Sequence, residues 1–396
     1  MYRIFNKKKL WATMVADAVG HVVTAPFRLL RRREPVRPEA VREILVLRTA
    51  YVGDVIMTLP LLAPLRERFP GARITFLTSR AAAPLLRGHP GVDEVLAHDP
   101  FWFYPTPKAD YLPFVRELRR RRFDLVIEAR ADIRDILFLV QPLKARYKVS
   151  YAVGGGGFCL THVVPHPRVN HRVEYHLDIA RFLGCRVDAS RPEWGLRLTP
   201  EEEAEVDSLL RGAGITGPFW CGHPGSRVPL KRWADARYAR CFDMVAAQTG
   251  LKPVLLGAPS EAAGVRTIAA AMGGDMGMRP VDLSGRLSLR LLAGVLARAE
   301  LLVCNDSAPM HLAVAMGTPV VALFGPSKSD QTGPWSPVAR VVEKDFPCRR
   351  TCDESRCRHT ECNACMTSLT PEDVLEAVRG LLRAVPRRTS SQATAR

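Results

Sequence analysis

Apolar positions along the chain follow two alternating rhythms. Short runs rich in Val, Ile and Leu at Glu43–Arg48, Arg73–Thr78, Glu94–Leu96 and Asp124–Glu128 read as buried strands. Between them, roughly at Asp54–Phe69 and Tyr111–Arg122, apolar residues return every three or four positions, the period of a helix with one buried face. A break near Glu193–Pro200 ends this set and a second begins. Pro200 opens a helix with three glutamates in its first turn, which suits the helix dipole. Strand runs follow at Phe219–Cys221, Pro253–Leu256, Asp282–Leu283, Leu301–Cys304 and Pro319–Leu323. Strands alternating with helical stretches predict parallel sheets covered on both faces, an α/β class. Two such sets in 396 residues predict two doubly wound domains, 41–197 and 198–380, facing across a cleft. Ligands in such sheets bind beyond the carboxyl ends of the strands, so the loops there are where chemistry is sought.

The first 40 residues do not fit this alternation. Lys7–Lys9 precede an apolar run from Leu10 to Leu30, and Arg31–Arg33 follow it. Asp17, His21 and Pro26 interrupt the run, which makes a poor membrane span, and no small-residue cleavage site marks a signal peptide. As a helix it is two-faced: Trp11, Met14, Val15, Ala18, Val22, Val23, Phe27 and Leu30 share one stripe. Thr13, Asp17, His21, Thr24, Arg28 and Arg31 share the other. Residues 1–37 hold nine Lys or Arg against Asp17 and Glu34, a local charge of +7. Segment 1–40 therefore reads as a basic amphipathic helix lying in a membrane interface; the plain alternative is a helix docked on its own protein. A basic, disordered tail is expected at 381–396.

Composition adds two constraints. A formal charge of +17 points to a polyanionic neighbour, namely nucleic acid, an anionic membrane or a phosphorylated substrate, or else to a merely solubilising surface. Of ten cysteines, Cys159, Cys185, Cys221, Cys241 and Cys304 sit in apolar runs, while five crowd into 348–365. Disulfides of a secreted protein would be spread through the chain, so a reducing cytoplasm is expected. The crowded set, Cys348, Cys352, Cys357, Cys362 and Cys365 with His359 among them, has ligands enough for a structural zinc. Only Cys362 and Cys365 have usual finger spacing, so free or oxidisable thiols remain the other reading.

Four loops carry candidate chemistry. Arg48 to Asp54 runs from the first strand into the first helix, with Gly53 at the turn; Asp54 is either an N-cap or a carboxylate base for a hydroxyl. His223 to Arg227, continuing through Lys231, Arg232 and Trp233, offers turn N–H groups and positive charge to a diphosphate. Asn305, Asp306 and Ser307 end a strand just before a helix containing Pro309 and His311, and a helix amino terminus there is a ready anion site. Glu261, near a further helix start, could accept hydrogen bonds from ribose hydroxyls. Two further features, the aromatic loop Phe101–Pro107 and the turn Gly154–Gly157, are open: the loop is a lid, an acceptor contact or a packing plug, and the turn lacks the strand-to-helix context of a dinucleotide fingerprint.

Taken together, Arg48 with Gly53, Asp54, Thr58 and Pro60, then Pro224–Ser226 with Lys231–Trp233, then Gly257–Glu261, then Asn305–His311 with Gly317–Pro319 and Phe324–Pro326, resemble the bacterial heptosyltransferases, glycosyltransferase family 9. The resemblance runs from about residue 43 to 380. It implies two Rossmann-like domains of the GT-B type and an inverting, metal-independent sugar transfer with no cofactor. By that similarity Asp54 is the catalytic base and Lys231 binds the donor phosphates. Ser226, Glu261, Asp306, Ser307, Ala308, Met310 and His311 hold the rest of the donor, while Arg48 and Arg130 face the acceptor. The implied donor is ADP-heptose. The implied acceptor is a lipopolysaccharide inner-core or similar glycolipid, met at the cytoplasmic face of the inner membrane. Two positions depart from the family: Arg130-Ala131 replaces a Gln-Gly pair, and Ala308 replaces a glycine. A transferase with another nucleotide sugar and acceptor is the alternative. A nucleic-acid binder is remote, since no helix-turn-helix or RNP signature occurs and the strand-end loops would go unexplained.

Overall fold

The structure is a computed structural model describing residues 7–30, 34–165, 171–273, 279–352, 354 and 356–384. The chain divides into two compact units, Met1–Gly195 and Leu196–Arg396. The first contains strands β1 (Glu43–Arg48), β2 (Arg73–Thr78), β3 (Glu94–Ala97), β4 (Leu125–Glu128), β5 (Tyr147–Ser150) and β6 (His162–Val163). The second contains β7 (Phe219–His223), β8 (Lys252–Leu255), β9 (Val281–Asp282), β10 (Leu302–Asn305), β11 (Val320–Phe324) and β12 (Ala339–Glu343). Each set forms one parallel sheet, in the orders β3-β2-β1-β4-β5-β6 and β9-β8-β7-β10-β11-β12. Counted within its own unit, each is the doubly wound order 3-2-1-4-5-6.

That order has a consequence for function. The chain reverses its direction of travel across the sheet between β1 and β4, and again between β7 and β10. Helices leave on opposite faces there, and the loops splay apart to open a crevice at the strand ends. Arg48 ends β1, Glu128 ends β4, His223 ends β7 and Asn305 ends β10. Three of the four candidate loops therefore lie at a switch point, and the fourth, holding Glu261, follows the neighbouring strand β8.

Burial explains why the strands read as continuous apolar runs. Ile44 to Leu47 and Leu302 to Cys304 have at most 1% of their surface exposed, because helices cover both faces of each sheet. In the first unit Leu45, Leu47, Leu77 and Val126 pack with Val115 and Leu118 of the helix Tyr111–Arg120. In the second, Trp220, Val303 and Val321 pack with Phe242 and Val245 of the helix Asp235–Thr249.

The structure departs from the sequence pattern in places. The helix expected over Asp54–Phe69 is two short helices, Val52–Thr58 and Leu62–Arg68, joined by a tighter turn at Leu59–Leu61. Pro60 and Pro64 lack the N–H that one continuous helix would use there. The helix Pro371–Ala384 extends into the tail expected at 381–396, of which 385–396 lies outside the described residues. At the amino terminus the helix Lys7–Leu30 forms, but it docks by its polar stripe. Thr13 and Asp17 are 7% and 5% exposed, whereas Trp11, Val22 and Val23 are 70%, 75% and 64% exposed. Among the described residues no helix is long and apolar enough to cross a membrane.

Candidate functional site

At the β1–β4 switch point the backbone turns into the helix Val52–Thr58 with Tyr51 as its N-cap. Asp54 is therefore the third helical residue, not the N-cap that its spacing allowed. Its Oδ2 accepts a long bond of 3.4 Å from the Tyr51 N–H, and its Oδ1 lies 2.8 Å from Nη2 of Arg48. Burial alone would raise its pKa, but the guanidinium groups of Arg48, Arg172 and Arg130 outweigh this and hold the carboxyl down at about 2. About a quarter of the Asp54 side chain still reaches the surface. Arg48 is buried, with Nε and Nη1 lacking any hydrogen-bond partner, and Nη1 of Arg130 is likewise buried and unpartnered.

The aromatic loop Phe101–Pro107 folds onto this place. The Arg130 guanidinium sits 3.6 Å from the Phe103 ring centroid and 5.8 Å from that of Tyr51. Tyr104 donates from its hydroxyl to the Thr49 carbonyl at 3.2 Å, and Trp102 donates from Nε1 to Asp135 at 2.9 Å. The loop thus walls the switch point, and its proline-broken run of aromatic residues is what allows that.

Beneath the arginines lie two buried carboxylates that sequence reasoning missed. Glu128 accepts from the N–H groups of Arg130 and Ala131 and from the Ser150 hydroxyl, at 2.6–3.0 Å. Asp135 accepts from Thr49 and Trp102. Burial drives the pKa of each upward, and the charge of Asp135 raises Glu128 further. Glu128 could not be singled out in sequence because it closes an apolar strand run, a place where acids commonly face solvent.

In the second unit the turn after β7 is tied to the strand end of β10. Asn305 donates from Nδ2 to the Pro224 carbonyl at 2.7 Å, and its Oδ1 accepts from the Tyr238 hydroxyl. Lys231, in the tight turn Pro229–Lys231, places Nζ 2.7 Å from both Asp306 and Glu354. Burial opposes its charge, yet those two carboxylates raise its pKa, so it stays a cation. Arg232 donates to the Ser226 carbonyl at 2.6 Å and so fixes the turn, and buried Ser226 accepts from the Val228 N–H. Ser307 is the extended N-cap residue of the helix Ala308–Ala315, and its hydroxyl makes no capping bond. The first N–H groups of that helix, with Ala308 at its start, therefore lack a side-chain cap at a site where an anion would be held.

Glu261 lies over Gly225: a Cβ there would come within 2.2 Å of the carboxylate. Its Oε2 accepts from the Ala258 N–H at 2.8 Å and lies 3.5 Å from Nε2 of His223. Burial would raise its pKa, but His223 and the Ala258 N–H lower it. Met310 and His311 follow in the helix Ala308–Ala315 and are buried, 0% and 5% exposed, as Ser226 and Asp306 are at 4% and 7%.

Cys348, Cys352, Cys357 and Cys365 line one cavity of about 50 Å³, while Cys362 is exposed. All ten cysteines are free thiols, and among the described residues no three His, Cys, Asp or Glu side chains gather closely enough to hold a metal ion. The Cys357 thiol has its pKa lowered by backbone N–H groups, that of Asn363 foremost.

Comparison with known proteins bears on the fold and the family. The family model described as glycosyltransferase family 9 (heptosyltransferase) matches residues 111–361. Lipopolysaccharide heptosyltransferase 3 of Escherichia coli is 27% identical over 294 residues, covering 72% of this chain and 84% of that protein. The solved structure of a family 9 glycosyl transferase from Veillonella parvula superposes with a TM-score of 0.73 at 24% identity, covering 87% of this chain and 98% of that one. That of the ADP-heptose lipopolysaccharide heptosyltransferase II of Escherichia coli gives 0.68 at 23%, covering 86% and 99%. The α/β fold of two doubly wound units is thus a fold that sugar transferases share. The chain belongs to glycosyltransferase family 9, the heptosyltransferases, and is a glycosyltransferase.

Proposed function

We propose that the chain moves heptose from ADP-heptose to a hydroxyl of a lipopolysaccharide inner-core or similar glycolipid, with inversion and without a metal ion, at the cytoplasmic face of the inner membrane. The observation that carries this is the opposite chemistry of the two switch points. One holds a partly exposed carboxylate, Asp54, among arginines; the other holds a lysine, Lys231, beside an uncapped helix start at Ser307. The names of relatives support the sugar and the acceptor: one is a lipopolysaccharide heptosyltransferase, another an ADP-heptose enzyme.

In this reading Asp54 takes the proton from the acceptor hydroxyl as its oxygen attacks the anomeric carbon. The bond from that carbon to the diphosphate breaks, and ADP departs with its electron pair. One displacement inverts the anomeric centre. Lys231 and the N–H groups at Ser307 and Ala308 stabilise the departing charge, Ser226 and Asp306 position that turn, and Glu261 holds the ribose.

Asp54 at a pKa of about 2 is a weak base, which tells something about the acceptor. The unpartnered N–H groups of Arg48 and Arg130 support an acceptor that carries an anionic group beside the reacting hydroxyl. An acceptor anion that draws these guanidinium groups away leaves Asp54 more basic when the proton must move. Calorimetry with ADP-, UDP- and GDP-linked sugars tests the donor half. ADP-heptose should bind best, and Lys231→Ala should weaken it by ~10²-fold. Preference for a UDP- or GDP-sugar would keep a sugar transferase but discard heptose.

A further inference from the structure

We infer that the helix Lys7–Leu30 is an interfacial anchor carried with its apolar face outward, made to lie on an anionic phospholipid surface. The inference rests on the membrane-side location proposed above and gives it a structural means. An ordinary surface helix buries its apolar stripe against the core and shows its polar stripe to water. Here the reverse holds, and the contacts show how.

Thr13, Asp17, Gly20 and Thr24 recur at spacings of four, three and four, so they form one stripe. That stripe meets the turn following β5. Asp17 Oδ1 accepts from the Gly156 N–H at 2.7 Å. Gly155, with φ of +91°, leaves room for the Thr13 methyl, which a Cβ would meet at 2.4 Å. Gly20 lies so close to the Phe158 ring that a Cβ would come within 2.4 Å of it, and His21 meets the same ring edge-on at 6.0 Å. The run Gly154–Gly157, which matches no nucleotide fingerprint, is thus the seat of this helix.

With the polar stripe occupied, Trp11, Met14, Val15, Val19, Val22 and Val23 are all exposed, at 43–75% of their surface. Six large apolar side chains on one helix would be costly in water, at about 25 cal/mol for each Å² left wet. The charge pattern selects the occupant. Lys7–Lys9 begin the helix, Arg28 stands in its last turn, and Arg31–Arg33 follow in sequence. In sequence, basic residues flank the apolar run on both sides, a pattern that matches an interface whose headgroups are negative and whose interior is apolar. A second copy of this chain would bring like charges together at both helix ends. Pro26 and the buried Asp17 are acceptable to a helix lying in the interface and unfavourable in one crossing it.

The test uses the full chain and vesicles of phosphatidylglycerol with phosphatidylcholine, against phosphatidylcholine alone. Binding should require the anionic lipid and weaken from 0.1 to 1 M salt, as the screening length falls from ~10 to ~3 Å. The triple variant Trp11→Ser, Val22→Ser, Val23→Ser should bind at least about tenfold more weakly. Since all three side chains are exposed, its melting temperature and its ADP-heptose affinity should stay those of the parent. A parent that ignores anionic vesicles, or a variant that binds them undiminished, overturns the anchor. A self-associating parent whose dimer is lost in the variant also overturns it, making the face a contact between copies. ADP-heptose affinity, read on the same preparations, fails separately if the transferase reading is what is wrong.

Discussion

At the residue scale, Asp54, Lys231 and Glu261 each lie against a titratable neighbour, namely Arg48, Asp306 and His223. Asp54 is the clearest case, since the same arginines that make it a weak base also hold it in place. Replacing it by Asn removes the proposed proton acceptor but keeps the shape and leaves the proposed donor turn in the other unit untouched. The expected result is a loss of ~10²–10⁴-fold in kcat with ADP-heptose affinity unchanged, measured by single-turnover transfer and calorimetry. A near-normal rate would place the base elsewhere. Glu128 and Asp135 make a second case, read through stability. Their pKa values are raised by burial to about 7 and about 6, so the fold prefers them protonated. The stability they contribute is complete below the unfolded carboxylate range and is lost as pH climbs through about 6 and 7. Asp54 has the opposite sign, its contribution lost only as pH falls toward about 2, so it is silent between pH 5 and 8. The melting temperature should therefore rise by about 2–4 °C from pH 8 to pH 5, and Glu128→Gln should flatten that slope. A parent that melts higher at pH 8 would mean both carboxylates are stably ionised.

At the scale of elements, glycines decide what can dock. Gly155 has a left-handed backbone and no room for a Cβ against Thr13. Gly155→Ala should dislodge the helix Lys7–Leu30 while leaving the sheet intact, and limited proteolysis should then cleave ahead of residue 40 faster than in the parent, with unchanged ADP-heptose affinity. Equal cleavage would mean that the Asp17 bond alone seats the helix. The elements also show how far the sequence could be read. Strands buried on both faces, such as β1 and β10, announced themselves as unbroken apolar runs. Tyr147–Ser150 and His162–Val163 did not, being short and half polar, and Ala339–Glu343 did not because it is an edge strand with Val341 exposed. The amphipathic stripes of the first helix were legible, but their direction was not. A helical period says which residues share a face, and only the glycine seat at 154–157 says which face the protein takes.

At the scale of the molecule, what the sequence conveyed best was position. Arg48, Asp54, Lys231 and Asp306 could be named because strand-end loops are identifiable before any contact is known. Most partners escaped: Glu128 closes β4, Asp135 lies in a short helix and Glu354 in a distant loop, and only folding brings them near, while the loop holding Phe103 was noticed but its role left open. The repeated strand order has a consequence of its own. The two halves are the same device built twice, with opposite polarity installed at the same topological address. One keeps a carboxylate at the end of its first strand's loop; the other keeps a cation in that place. On the proposed reading, each substrate is met by a different half of the chain. Under that proposal, acceptor preference and donor preference would diverge separately, each by exchange of one half's loops, while the other half keeps its partner.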